Sequence, residues 1–167
     1  MPPVLAIIGK KNSGKTTLIE KLIPELMALG LRVGTIKHHH GTISMDQPGK
    51  DTWRHKQAGA HTVVLSSPSG LGVIRDTPGE IPVLEIAALY CSDVDLVLAE
   101  GYKQEALPKI EIFRSTVHAE PLSLPGEDLL AMVSDVALDR DIPRFGLAET
   151  RQLAKFLLER FLQGFKS

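Results

Sequence analysis

The sequence predicts an α/β fold: a mostly parallel sheet between two helical layers, with an inserted β-hairpin. Three observations predict it. Val4-Leu5-Ala6-Ile7-Ile8 is a short apolar run followed by Gly9-Lys10-Lys11-Asn12-Ser13-Gly14-Lys15-Thr16 and then a helical pattern. Apolar strand-like runs alternate with helical stretches along much of the chain. Two further strand-like runs flank Ser67-Pro68-Ser69-Gly70, which is strong turn chemistry. The first stretch is G-x-x-x-x-G-K-[ST] between a strand and a helix, the context that gives this motif its meaning. The fold class is therefore a P-loop NTPase three-layer sandwich.

Each element follows from local pattern. Val4–Ile8 reads as a buried strand. Leu18, Leu22, Leu26 and Leu29 recur at helical spacing, beside Ile19, Ile23 and Met27, in a helix starting near Thr17. Pro24 interrupts its hydrogen bonding, so a kink is expected, and Gly30 is a C-terminal stop. Leu31 to Lys37 reads as the second strand, and a strand–helix–strand of this length implies a right-handed crossover. Residues 38–51 are polar, contain Gly and Pro, and read as a loop at the ligand-binding edge of the sheet. A helix begins at Asp51 as N-cap and runs to Gly59.

Residues 62–66 and 71–75 form the expected hairpin. Its second strand is rich in Val, Ile and Leu. Packing on its own domain and pairing with another chain are both open. Ile81 to Tyr90 reads as a helix, Asp95 to Gly101 as a buried strand, and 109–113 and 129–133 as two more. Residues 118–127 read as a surface loop. A last helix from about Ala148 carries Leu153, Phe156, Leu157 and Phe161 on one face.

The chain has 167 residues, 43% apolar and 23% charged, with formal net charge −1. That length fits one domain, residues 1–167, with the hairpin at about 62–76. The charge gives no reason to expect nucleic acid or an anionic membrane as partner. The single cysteine, Cys91, excludes an internal disulfide and a Cys-based zinc site; it is expected to pack as a small hydrophobe. No apolar run approaches the roughly 20 residues of a membrane span, so a cytoplasmic protein is expected.

The motif assigns chemistry residue by residue. Gly9 and Gly14 let the backbone close around an anion. Loop amides, including those of Lys10, Asn12 and Ser13, and the helix N-terminus point at phosphates. Lys15 reaches the outer phosphates, and the Thr16 hydroxyl is a Mg²⁺ ligand. Glu100 ends an apolar strand, where a carboxylate serves the metal or orients water, so Lys15 and Glu100 are the candidate catalytic pair. Asp46 is a further metal candidate, ranked above Asp51, whose capping role already explains it. Lys10 is either a solvated lysine or one reaching a dimer partner's nucleotide. His38, His39 and His40 cannot all face one ion, because neighbours alternate sides. Asp135 ends another apolar strand, where a carboxylate can accept from guanine N1–H and N2–H₂; the Asn-Lys-x-Asp form is absent.

Taken together, residues 9–17, Lys37-His38-His39-His40, Asp46-x-Pro48-Gly49-Lys50-Asp51, Leu98-Ala99-Glu100-Gly101-Tyr102-Lys103 and Lys109-Ile110-Glu111-Ile112-Phe113-Arg114 resemble the molybdopterin-guanine dinucleotide biosynthesis protein B family, MobB. The resemblance spans nearly the whole chain. It implies a homodimeric GTP-binding protein with weak Mg²⁺-dependent GTPase activity. It also implies action beside a MobA-like guanylyltransferase on molybdopterin or its guanine dinucleotide. By position it gives Gly14, Lys15, Thr16 and Thr17 the phosphates, Thr16 and Glu100 the Mg²⁺, and Ser134-Asp135 the guanine. It links the hairpin to dimer formation. Two other readings remain: a P-loop small-molecule kinase and a nucleotide-gated adaptor without turnover. No motif places a Gln or an arginine finger on the γ-phosphate, and residues 115–127 lack the arginine cluster of a kinase lid.

Overall fold

β1 (Val4–Ile8) is buried at every position, as its unbroken apolar run requires of a central strand. In the computed structural model, which describes residues 1–42, 46–122 and 128–165, β1 lies within a six-stranded sheet. The other strands are β2 (Val33–Lys37), β5 (Leu96–Glu100), β6 (Lys109–Phe113), β7 (Leu129–Ser134) and β8 (Arg144–Phe145). Their order is β2-β5-β1-β6-β7-β8, and every pairing is parallel.

Alternate residues of each strand feed two separate cores, which makes the layers. Leu5, Ile7, Leu96, Leu98, Ile110 and Ile112 face α1 (Lys15–Ala28) and α4 (Thr150–Phe156). Val4, Ala6, Ile8, Val97 and Ala99 face α3 (Val83–Tyr90). Cys91 is buried in this second core, as expected of a small hydrophobe.

Several boundaries move for local reasons. α1 starts two residues earlier than its apolar periodicity suggests, because the loop feeds straight into it. Pro24 lies on an exposed face of α1 without breaking it. The helix stops at Gly30: the Gly30 N–H donates to Met27 O (2.9 Å) and Leu31 N–H to Leu26 O (3.2 Å). Gly30 has φ 83°, completing a Schellman stop. Leu31 thus closes the helix and packs in the core rather than starting β2. α3 begins at Val83, after Pro82, rather than at Ile81. The last helix keeps its predicted apolar face but passes into a π-helical turn at 157–161 and a 3₁₀ turn at 162–165. β8 has only two residues and no periodicity to betray it.

The chain divides into two compact units: residues 1–38 with 83–167, and residues 39–82. The second holds α2 (Asp51–Gln57) and the hairpin of β3 (Thr62–Ser67) and β4 (Gly70–Arg75). Lys50, not Asp51, is the N-cap of α2; Asp51 occupies the first turn, where its charge complements the helix dipole. The hairpin register pairs Val64 with Val73 and Ser66 with Leu71, so Val64, Leu71 and Val73 share one face. All three are exposed. The surface loop expected at 118–127 is described only as far as residue 122; the rest lies outside the described residues.

Candidate functional site

The loop between β1 and α1 has the backbone its glycines allow. Gly9 (φ 153°) has no room for a side chain: a Cβ there would stand 2.5 Å from Ser13 Oγ and 2.6 Å from Ile112 O. Asn12 adopts φ 63°, a left-handed conformation that Asn tolerates. Gly14 (φ 100°) precedes α1, whose first amides have no intrahelical acceptors. Ser13 is buried.

Lys15 folds back over this loop, its ammonium 3.0 Å from both Gly9 O and Lys10 O. Burial pushes its pKa below the usual lysine value; the Glu100 carboxylate opposes this, and the charges of Lys37 and Lys103 reinforce it. An ammonium short of counter-charge in a part-buried cradle favours an anion.

Glu100 reaches the same place from the C-terminal end of β5, beside β1. Its backbone register pairs it with Ile7 on one side and Lys37 on the other. The Thr16 hydroxyl lies 3.1 and 3.2 Å from its two carboxylate oxygens. Lys37 Nζ is 3.3 Å from Oε1; Glu100 is only 13% exposed while Lys37 is 61% exposed. A hydroxyl and a carboxylate side by side form a hard oxygen donor set suited to Mg²⁺. Among the described residues no three His, Cys, Asp or Glu side chains converge. Phosphate and water oxygens would therefore have to complete such an ion's shell.

A cavity of about 470 Å³ opens over the loop, lined by Lys11, Asn12, Gly14, Lys15, Thr16, Thr17, Glu100 and Arg114. Three of these residues are cationic and one is acidic. The structure thus brings together most of the residues predicted from sequence: Asn12, Gly14, Lys15, Thr16, Thr17 and Glu100. Gly9 and Ser13 shape the loop from beneath. The Lys10 carbonyl holds Lys15, and the Lys10 charge is felt by the buried carboxyl of Glu111.

Two predicted residues have structural work that sequence alone did not suggest. Asp46 Oδ1 accepts from the Gln47 N–H (2.8 Å) and the Thr52 hydroxyl (3.1 Å), fixing the entry to α2. Asp46, ranked above Asp51 for want of an equally good structural explanation, thus has one through Oδ1, while its Oδ2 is buried without a hydrogen-bond partner among the described residues. Asp135 is not part of the cavity lining. Its Oδ1 accepts from the Ser115 N–H at 2.8 Å, and this bond holds its carboxyl below the usual value. Of the histidines, His38 donates its N–H to Glu100 O (3.0 Å) and packs its ring on Tyr102 at 5.0 Å.

Two site residues were missed. Both are remote from the motif in sequence: Arg114 follows β6, the strand beside β1, and Lys37 ends β2, the strand beside the Glu100 strand β5. The available signal was position: each stands at the C-terminal end of a parallel strand, where α/β sheets bind ligands.

Known proteins are similar to this chain in sequence and in fold. A family model described as molybdopterin guanine dinucleotide synthesis protein B matches residues 4–135. The chain is 39% identical to a molybdopterin-guanine dinucleotide biosynthesis adapter protein of Haemophilus influenzae, covering 98% of this chain and 91% of that protein. It is 37% identical to the protein of the same description from Escherichia coli, over 95% of this chain and 93% of that one. The crystal structure of a MobB protein homolog from Bacillus stearothermophilus superposes with a TM-score of 0.69 at 28% identity, covering 96% of this chain and 98% of the other.

Proposed function

We propose a function from one premise: the chain belongs to the molybdopterin guanine dinucleotide synthesis protein B family, MobB. It is an accessory protein of molybdenum cofactor biosynthesis. In our reading it assists the conversion of molybdopterin to its guanine dinucleotide as a GTP-binding adapter of the cytoplasm, with slow hydrolysis.

The observation that carries GTP binding is the cavity over the loop, with the Lys15 ammonium, the α1 N-terminus and the Thr16–Glu100 pair all facing it. Lys15 would exchange its two carbonyl partners for phosphate oxygens, an exchange favoured because a charged acceptor makes the stronger hydrogen bond. Thr16 and Glu100 would hold Mg²⁺, which would supply positive charge against the phosphates. In this reading Glu100 orients a water. It is already shared between Thr16 and Lys37, and among the described residues no second carboxylate or His lines the cavity. Positioning and charge then supply most of the rate, which fits an adapter better than a fast enzyme.

Guanine selection is assigned to Asp135, which directly follows β7 and whose carboxyl also accepts from the Ser115 N–H. The partners in this reading are a MobA-like guanylyltransferase, molybdopterin or its guanine dinucleotide, and a second copy of the chain docked through the exposed hairpin face. Exposed apolar side chains on a two-stranded hairpin support the last of these, since an isolated hairpin is marginal without something to pack on.

The test is phosphate release from GTP measured with and without molybdopterin and a guanylyltransferase. Slow release unaffected by any acceptor supports the adapter. Stoichiometric transfer of phosphate to a small acceptor would support a kinase instead.

A further inference from the structure

Arg114 follows β6, the strand beside β1, and lines the cavity above the loop. Its Nε is shielded from solvent and has no hydrogen-bond partner. Among the described residues no carboxylate lies within ion-pairing distance of it. No hydrogen bond or ion pair occupies the Arg114 guanidinium among the described residues, so an acceptor entering the cavity would be its first partner.

The surroundings fix where that acceptor would be. The Arg114 carbonyl accepts from the N–H groups of Val117 and His118, both at 3.0 Å, which closes a turn. The His118 ring then meets Lys11 O at 2.6 Å, tying this turn to the loop. The Arg114 side chain lies across Gly14: a Cβ at Gly14 would stand 3.8 Å from Arg114 Cδ. The guanidinium is thus held over the residue that precedes Lys15, on a wall whose other cations are Lys11 and Lys15.

We propose that Arg114 is a phosphate-binding residue of this site, giving the bound nucleotide a planar, multidentate cation beside the point charge of Lys15. The proposal rests on the nucleotide reading and adds to it a residue outside the motif. Arginine suits the task because its donors form a rigid fork matched to phosphate oxygens.

The test is titration of the unsubstituted chain, Lys15→Ala, Arg114→Ala, Arg114→Gln and Arg114→Lys with GTP–Mg²⁺ and with inorganic pyrophosphate, at several salt concentrations. Thermal unfolding of each free protein is followed alongside. Expected is a loss of affinity for both ligands of about tenfold or more in Arg114→Ala and Arg114→Gln, with partial recovery in Arg114→Lys. The salt dependence of binding should become shallower, a change that loss of packing alone would not produce. Thermal midpoints of the free variants should not fall, because an unpaired donor is removed. Binding within about twofold of normal in Arg114→Ala, alongside loss in Lys15→Ala, overturns the proposal and leaves the nucleotide reading intact. Failure of the unsubstituted chain to bind either ligand overturns both.

Discussion

The Thr16 hydroxyl and the Glu100 carboxylate, 84 residues apart in sequence, meet at 3.1 and 3.2 Å. Nothing local links them; the β1–β5 pairing does, by setting Ile7 beside Glu100 just before the loop turns into α1. If the two share one Mg²⁺, as proposed above, their substitutions should be coupled. Thr16→Ala and Glu100→Gln should each remove the part of GTP affinity that Mg²⁺ contributes, about tenfold, and the double variant should lose less than the sum. Titrations with Mg²⁺ and with chelator check this; full additivity would separate the two residues.

Lys37 competes for the same carboxylate. Its ion pair with Glu100 is largely exposed on the lysine side, so it is worth at most about 1 kcal/mol. Lys37→Gln should lower the Mg²⁺ concentration needed for half-maximal GTP binding by up to about fivefold, as that energy allows. A Mg²⁺ titration at fixed GTP measures it.

Asp135 accepts from the Ser115 N–H and, in the proposed function, also reads the base, two roles that one substitution can separate. Asn keeps an oxygen for the Ser115 N–H and loses the second acceptor. Asp135→Asn should therefore reduce the preference for GTP over ATP, by about tenfold if one hydrogen bond to the base is lost. Unaltered preference in competitive titration would move base reading elsewhere.

Glu111 is a buried carboxyl in β6 that accepts from the Leu122 N–H and lies 3.9 Å from Arg140. Burial raises its pKa; the Leu122 bond and the Arg140 and Lys10 charges only partly offset this. A raised folded pKa means that the native state binds the proton more tightly. Its contribution is complete below the unfolded value and is lost as pH rises through the folded one. Stability should thus fall as pH rises above the ordinary glutamate range, with a slope of roughly 1 kcal/mol per pH unit until the folded value is passed. Glu111→Gln should flatten that fall, as followed by denaturant unfolding across pH.

The hairpin face of Val64, Leu71 and Val73 is assigned to a second copy of the chain. Leu71→Asp should convert a dimeric mass to a monomeric one in sedimentation equilibrium, with the melting of each chain little changed. A monomeric unsubstituted protein at tens of micromolar would contradict the assignment.

Much of this was legible in the sequence because it is local. The run Val4–Ile8, the two loop glycines and the Leu18–Leu22–Leu26 spacing fix a strand, a turn and a helix without reference to the rest of the chain. Glu100 was legible because an apolar strand ending in a carboxylate has few other uses beside such a loop. Arg114 and Lys37 were not, because strand order decides their neighbours, and no short stretch encodes the order β2-β5-β1-β6. The structural role of Asp46 was hidden for the opposite reason: its partners, Gln47 and Thr52, are close in sequence, but the turn that joins them lacks a distinctive pattern. β8 pairs through two residues only, too few to show a period.

The central claim is that Lys15 and its loop hold the phosphates of GTP. Calorimetric titration of the unsubstituted chain and of Lys15→Ala with GTP–Mg²⁺ tests it most directly. Saturable binding is predicted for the former and at least about hundredfold weaker binding for the latter, about 2.8 kcal/mol for a part-buried charge-assisted contact. Equal affinity in the two proteins would contradict it.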